Sequence, residues 1–255
     1  MQDNTPRPAG RTLAVWGLRA AFLSLVVGGW LYATTAGGVS AISLPPPGDV
    51  LQQFWTDVRR EPTWRATGTT VVEMLLGFVI GATAGLLVGF FLSRRPLRAQ
   101  VSEKLLAWGY IFPLSLLYPL FLIWAGVGMS SKILFAAASA FFPIAYNTMR
   151  GLRTVERRLL DVGRAFGASP WQVDLQIKAG AARPMILSGL RLGVSMTTIS
   201  VVLAEILGAN AGLGFLTQQA VNQFQIVQSY SYALMLVIVT SVLLWMMERL
   251  LQTRR

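Results

Sequence analysis

The 255-residue chain contains no cysteine and no histidine. The first absence removes disulfide frameworks and thiol chemistry. The second removes histidine-ligated metal sites and Ser-His or Cys-His triads. Charge is also scarce: 13% of residues are Asp, Glu, Lys or Arg, against roughly 25% in soluble domains. Acidic residues number 11 against 22 basic ones. What remains is 54% hydrophobic, with a mean hydropathy of +0.54. These proportions exclude a water-soluble globular domain and a disordered chain, and point to the bilayer.

A membrane span needs about 20 apolar residues. Charge-poor runs of that length predict six helices, at about 13–36, 66–92, 105–129, 131–149, 184–207 and 229–248. The first run is too long, and too poor in a small-residue cleavage signal, for a signal peptide. With the N-terminus inside, 16 Lys and Arg residues fall in inner segments and four in outer ones, Arg59, Arg60, Arg65 and Lys132. That bias places both termini in the cytoplasm. It also accounts for the net charge of +11 without nucleic acid.

Past the first span, Pro45, Pro46 and Pro47 stop any helix. Leu51, Phe54, Trp55 and Val58 then recur at helical spacing, which predicts an interfacial amphipathic helix. The longest polar segment is internal, at 150–183. Thr154 is expected to cap a first short helix with Glu156 in its first turn, and Gly167 to stand just past its end. Ser169, Pro170 and Gln172 give the cap, first position and capping-box partner of a second. The hairpin turn Gly167-Ala168-Ser169 presents small residues, with Phe166 and Trp171 beside it. A compact hairpin among short loops is read as a docking element for a cytoplasmic partner.

Within the spans, Glu73 and Glu205 either line the outer half of a pathway, or snorkel or bond to neighbouring backbone. Arg191 is expected to anchor the fifth span at the inner surface. Gly77, Gly81, Gly85 and Gly89 form one small face, a helix-packing surface. Pro113 and Pro119 can bend the third span and free carbonyls near Tyr118, for substrate or for packing alone. The segment 210–214, Asn-Ala-Gly-Leu-Gly, predicts a tight outer turn.

The segment 150–183 resembles the EAA-type cytoplasmic loop of permease subunits of bacterial ATP-binding-cassette (ABC) importers. Asp161, Val162 and Gly163 stand at the Glu-Ala-Ala positions, Gly167 at the glycine, and Ile177 and Pro184 further on. LPPPGDVL at 44–51, the run 118–160, SGLRLG at 188–193 and VVLAEILGANAGLGFL at 201–216 are similar to the nitrate/sulfonate/taurine branch. The chain departs from that pattern at Asp161, at Val162-Gly163 and at Lys178-Ala179-Gly180, where a proline is usual. It departs again at Glu73, where many sulfonate-type relatives carry arginine.

The resemblance implies an all-α, type I importer permease fold occupying the whole chain as one domain of the bacterial inner membrane. It implies a second permease subunit, expected to be an identical copy, two ABC ATPase subunits and an extracytoplasmic solute-binding protein. Residues Asp161, Gly163, Ala165, Phe166, Gly167, Ala168, Ser169 and Trp171 would then contact the ATPase, and Glu73, Pro113, Tyr118, Pro119 and Glu205 would lie along the pathway. The substrate would be an organic anion such as a sulfonate, taurine or nitrate, or a small heterocycle such as a vitamin precursor. The chain has no GxxxxGK[ST] phosphate loop, so no cofactor is expected on it, and ATP and Mg are expected on the partner. The alternative is a self-contained channel or secondary transporter using Glu73 and Glu205.

Overall fold

A computed structural model describes residues 9–40 and 43–251, with side chains from Val15 onward. Arg7, Arg254 and Arg255, counted in the charge bias, lie outside the described residues.

The described chain is helical. Helix α1 spans Ala9–Thr35, α2 Pro47–Val58, α3 Glu61–Ser93, α4 Pro96–Ile111, α5 Tyr118–Ala125 and α6 Met129–Arg153. Then follow α7 (Arg157–Ala165), α8 (Pro170–Gln172), α9 (Ala179–Gly208), α10 (Leu213–Asn222) and α11 (Ile226–Leu251). Five helical segments are long and apolar enough to cross a bilayer, or six when the bent α4–α5 pair is taken as one span.

Helix α6 is the hub, packed between α3 and α9. Glycines make both contacts close. On α3, Gly77, Gly81, Gly85 and Gly89 are buried against Ala136, Ala137 and Ala140, Ile144, and Ala145 and Thr148 of α6. A Cβ at Gly81 would stand 2.6 Å from the Ala137 carbonyl oxygen. On the other flank, Gly189 of α9 abuts Asn147 and Gly193 abuts Ile144. Lipid chains are as apolar as leucine, so such close backbone packing, rather than exclusion of water, holds membrane helices together.

The third span is not one helix. Its arms meet at 77°. Pro113 has no N–H to continue α4, and Phe112 turns to an extended ψ of 130°. A short 3₁₀ turn, Leu114–Leu117, leads into α5. Thr154 does not cap the helix after it. It closes α6, its hydroxyl donating to Gly151 O at 3.1 Å, and Glu156 takes the N-cap position of α7.

The fifth span also begins earlier than its apolar run. From Pro170 the chain turns through α8, continues as a π-helical stretch at Val173–Lys178, and runs without a break into α9. Pro184 lies inside this helix. The hairpin's second arm and the span are therefore one body.

Helix α2 lies against α11. Val50 is buried and Phe54 packs on the core, while Leu51 and Trp55 are exposed. Its buried Asp57 accepts from Ser231 Oγ at 2.7 Å and from Gln53 Nε2 at 3.0 Å. Trp30 of α1 donates its indole N–H to Pro45 O at 3.0 Å.

Candidate functional site

Two constructions stand at opposite ends of the bundle. At one end is the 157–178 hairpin. Its turn is fixed by backbone chemistry on both sides. Ala168 N donates to Gly163 O at 3.0 Å and Gly167 N to Arg164 O at 2.9 Å. This is the Schellman pattern, and it needs the φ of +80° that Gly167 supplies. Immediately after, Gln172 N donates to Ser169 Oγ at 3.3 Å, and Ser169 N donates to Gln172 Oε1 at 2.8 Å. That reciprocal box starts the second arm, with Pro170 at its first position.

The tip side chain, Phe166, is 88% exposed. Asp161 is exposed and paired with Arg164 at 3.4 Å. Ala165 and Ala168 flank the tip in sequence with small side chains. Gly163 has a different place. A Cβ there would overlap the Ile177 side chain, so this glycine lets the two arms touch. Trp171, half exposed, leans back on the bundle. Its ring meets Phe90 edge-on at 5.8 Å, and the Arg94 guanidinium lies 5.4 Å from its centroid. Arg94 Nε also donates to Asp174 Oδ2 at 2.9 Å, and Lys178 Nζ donates to Asp174 Oδ1 at 2.7 Å. The hairpin is thus braced on the end of α3 while its tip projects outward.

At the opposite end is a buried ionic cluster. Glu73 and Lys132 are both withdrawn from solvent, and Lys132 Nζ stands 2.5 Å from Glu73 Oε1. The same ammonium donates to Ala211 O at 2.8 Å. Glu205 Oε1 accepts from Thr70 Oγ1 at 2.6 Å, and Glu205 Oε2 accepts from Gly214 N at 2.8 Å. Leu213 N donates to Thr70 Oγ1 at 2.9 Å. Gly212, at φ +113°, allows the turn to close over Glu205, since a Cβ there would strike the carboxylate. Among the described residues, Glu73 Oε2 and the Tyr118 hydroxyl have no hydrogen-bond partner.

The structure brings Glu73 and Glu205 to one cluster, with Tyr118 buried nearby against Phe135 and Ala204. Pro113 and Pro119 stay exposed on the bent segment and do not join it. Lys132, counted among outer-segment charges, is instead wholly inside the bundle. Thr70, Arg94 and Asp174 were missed from sequence. A lone lysine near the start of an otherwise apolar run was the one available signal for Lys132.

The chain matches the family described as the binding-protein-dependent transport system inner membrane component over residues 77–253. It is 31% identical over 222 residues to a probable ABC transporter permease protein of Haemophilus influenzae, covering 87% of this chain and 90% of that one. It is 30% identical to the riboflavin transport system permease protein RibX of Chloroflexus aurantiacus, covering 79% of this chain and 75% of that one. It is also 30% identical to the putative aliphatic sulfonates transport permease protein SsuC of Escherichia coli, covering 80% and 79%. Among solved structures, the inward-facing MetNI methionine ABC transporter aligns at a TM-score of 0.57 and 23% identity, over 78% of this chain and 97% of that one. An all-helical bundle with a braced hairpin and these relatives have one reading: this chain belongs to the inner-membrane permease components of binding-protein-dependent ABC transport systems.

Proposed function

We propose that the chain works as one of two identical permease subunits of an ATP-driven importer, and that the 157–178 hairpin is where an ATPase subunit docks. One observation carries the docking reading. The exposed Phe166 is held on a turn capped from both sides, a rigidity that a passive connection does not need. Asp161, Ala165, Ala168 and Ser169 complete the presented surface, while Gly163, Gly167 and Trp171 shape and brace it. ATP and Mg are held by the partner, and a solute-binding protein delivers substrate at the far end. The substrate is a small organic anion, of the kind named for the sulfonate permeases, or a small heterocycle, as for the riboflavin permease.

Orientation follows from the charges. Arg94, Arg95, Arg98, Arg150, Arg153, Arg157, Arg158 and Arg164 cluster at or beside the hairpin end. With Lys132 buried, the other end keeps Arg59, Arg60 and Arg65. The hairpin end therefore faces the cytoplasm. The reading as a self-contained carrier is disfavoured because Glu73 is engaged by Lys132 and Glu205 by Thr70 and Gly214.

The test is co-purification of the chain with its host's ABC ATPases from mild detergent. Capture by the parent chain, lost in Phe166→Glu, is the expected result. A folded parent chain that captures no ATPase would sink the reading.

A further inference from the structure

Arg191 is the one basic residue deep within α9, and the hairpin and the ionic cluster leave it unused. It lies about 12 Å along the axis from Arg183 and about 21 Å from Glu205, at 1.5 Å per residue. Gly189 and Gly193, two residues before and after it, press on α6. At 100° per residue Arg191 therefore points away from that contact. Its side chain is exposed, with no hydrogen-bond or ion-pair partner among the described residues. Ser188 stands one turn before it on the same face, exposed and likewise unpartnered. Ser195 stands one turn after, its hydroxyl donating only to Arg191 O at 3.3 Å. Beyond it the stripe turns apolar at Ile199.

An arginine at this depth against lipid is unfavourable by roughly 2.5–3.5 kcal/mol on insertion scales, so such residues face water or a partner. The unpartnered Ser188 hydroxyl, one turn from the guanidinium, makes the same demand. Resting on the permease reading above, we propose that the Ser188–Arg191–Ser195 stripe of α9 lines the aqueous pathway and recognises the anionic group of the substrate, a carboxylate, sulfonate or phosphate. The guanidinium supplies a planar fork of donors for an oxyanion, and the serines add donors above and below it. This assigns Arg191 a specificity role in place of surface anchoring, and selects the anion over the neutral heterocycle.

The native absence of cysteine permits a test with charged thiol reagents as probes. Ser195→Cys, in vesicles carrying the chain with its ATPase, is treated with 2-sulfonatoethyl and with 2-(trimethylammonio)ethyl methanethiosulfonate. Both reagents should react, the anionic one with an advantage created by Arg191. Side chains at i and i+4 are about 6 Å apart, so at near-aqueous screening Arg191→Gln should shift the anionic-to-cationic rate ratio by about tenfold. Arg191→Lys should restore it. Ser188→Cys gives a second reporter should Ser195→Cys fold poorly. A thiol that neither reagent reaches, or a ratio indifferent to Arg191→Gln, would overturn the proposal. Failure of the parent chain to capture an ATPase is scored separately and bears on the permease reading alone.

Discussion

Arg94 and Asp174, 80 residues apart in sequence, are joined by a 2.9 Å hydrogen-bonded ion pair. The contact ties the end of α3 to the second arm of the hairpin. Arg94 faces the Trp171 ring at the same time, so one guanidinium holds both a carboxylate and an aromatic plane. Lysine can reach the carboxylate but cannot stack as arginine does.

From this relationship we expect Arg94→Ala to separate docking from transport. A partly exposed ion pair contributes about 0.2–1 kcal/mol, so the chain should fold and still capture its ATPase. Transport into vesicles should fall several-fold, because the hairpin can then move without α3. Arg94→Lys should recover only part of that loss. Uptake at full strength in Arg94→Ala would refute the bracing role.

The Glu73–Lys132 pair is buried on both sides, and removing one partner strands a charge. Lys132→Met should destabilise the folded bundle by about 3–5 kcal/mol, the usual cost of breaking a buried pair. The double variant Lys132→Met, Glu73→Gln should regain much of this. Thermal unfolding in detergent, followed by loss of monodisperse protein, reads both. Equal midpoints for the single and double variants would argue that the two residues do not depend on each other.

Along α3, Gly81→Leu should disrupt the packing on α6, since even a Cβ at Gly81 would lie 2.6 Å from a carbonyl oxygen. A Cβ at Gly68 on the same helix would meet nothing within 4 Å, and Gly68→Leu at this exposed position should be tolerated. The contrast is read as folded yield from mild detergent. Comparable yields would mean the two helices can separate without loss.

At the hairpin, Ser169→Ala removes one half of the capping box, a change worth typically about 1 kcal/mol. Amide exchange over the turn and the start of the second arm should quicken roughly fivefold, while α6 keeps its protection. Unchanged exchange at Gln172, whose N–H donates to Ser169 Oγ, would show that the cap does not hold the turn.

Much of this architecture is legible in the sequence because bilayer rules are local. Charge-free length gives the helix count, and a four-residue glycine period gives a small face. Gly167 and the Ser169–Gln172 box give the hairpin turn. Failures occurred where distant residues decide. Lys132 looked like an outer charge because nothing nearby in sequence announces Glu73 or Ala211 as its partners. Lys178 and Arg183 ended the apolar run, yet the backbone stays helical past them and through Pro184. Thr154 has the chemistry of an N-cap, but its hydroxyl turns back to Gly151 of the preceding helix. Pro113 and Pro119 announced a bend without its size, 77°, which tertiary packing sets.

The unbroken helix from Pro170 to Gly208 has a mechanical corollary. At 1.5 Å per residue it is a lever about 58 Å long. Its short end is gripped by the hairpin, and its far end carries Glu205 beneath the 209–214 turn. Moved as one body, a tilt of about 10° at one end sweeps the other by roughly 10 Å, less what the π-helical stretch and Pro184 take up by bending. Linkage runs both ways along such a rod. Whatever loads the 209–214 turn biases the angle of the hairpin, so on the function proposed above arrival of cargo and the nucleotide cycle would act on a single coordinate.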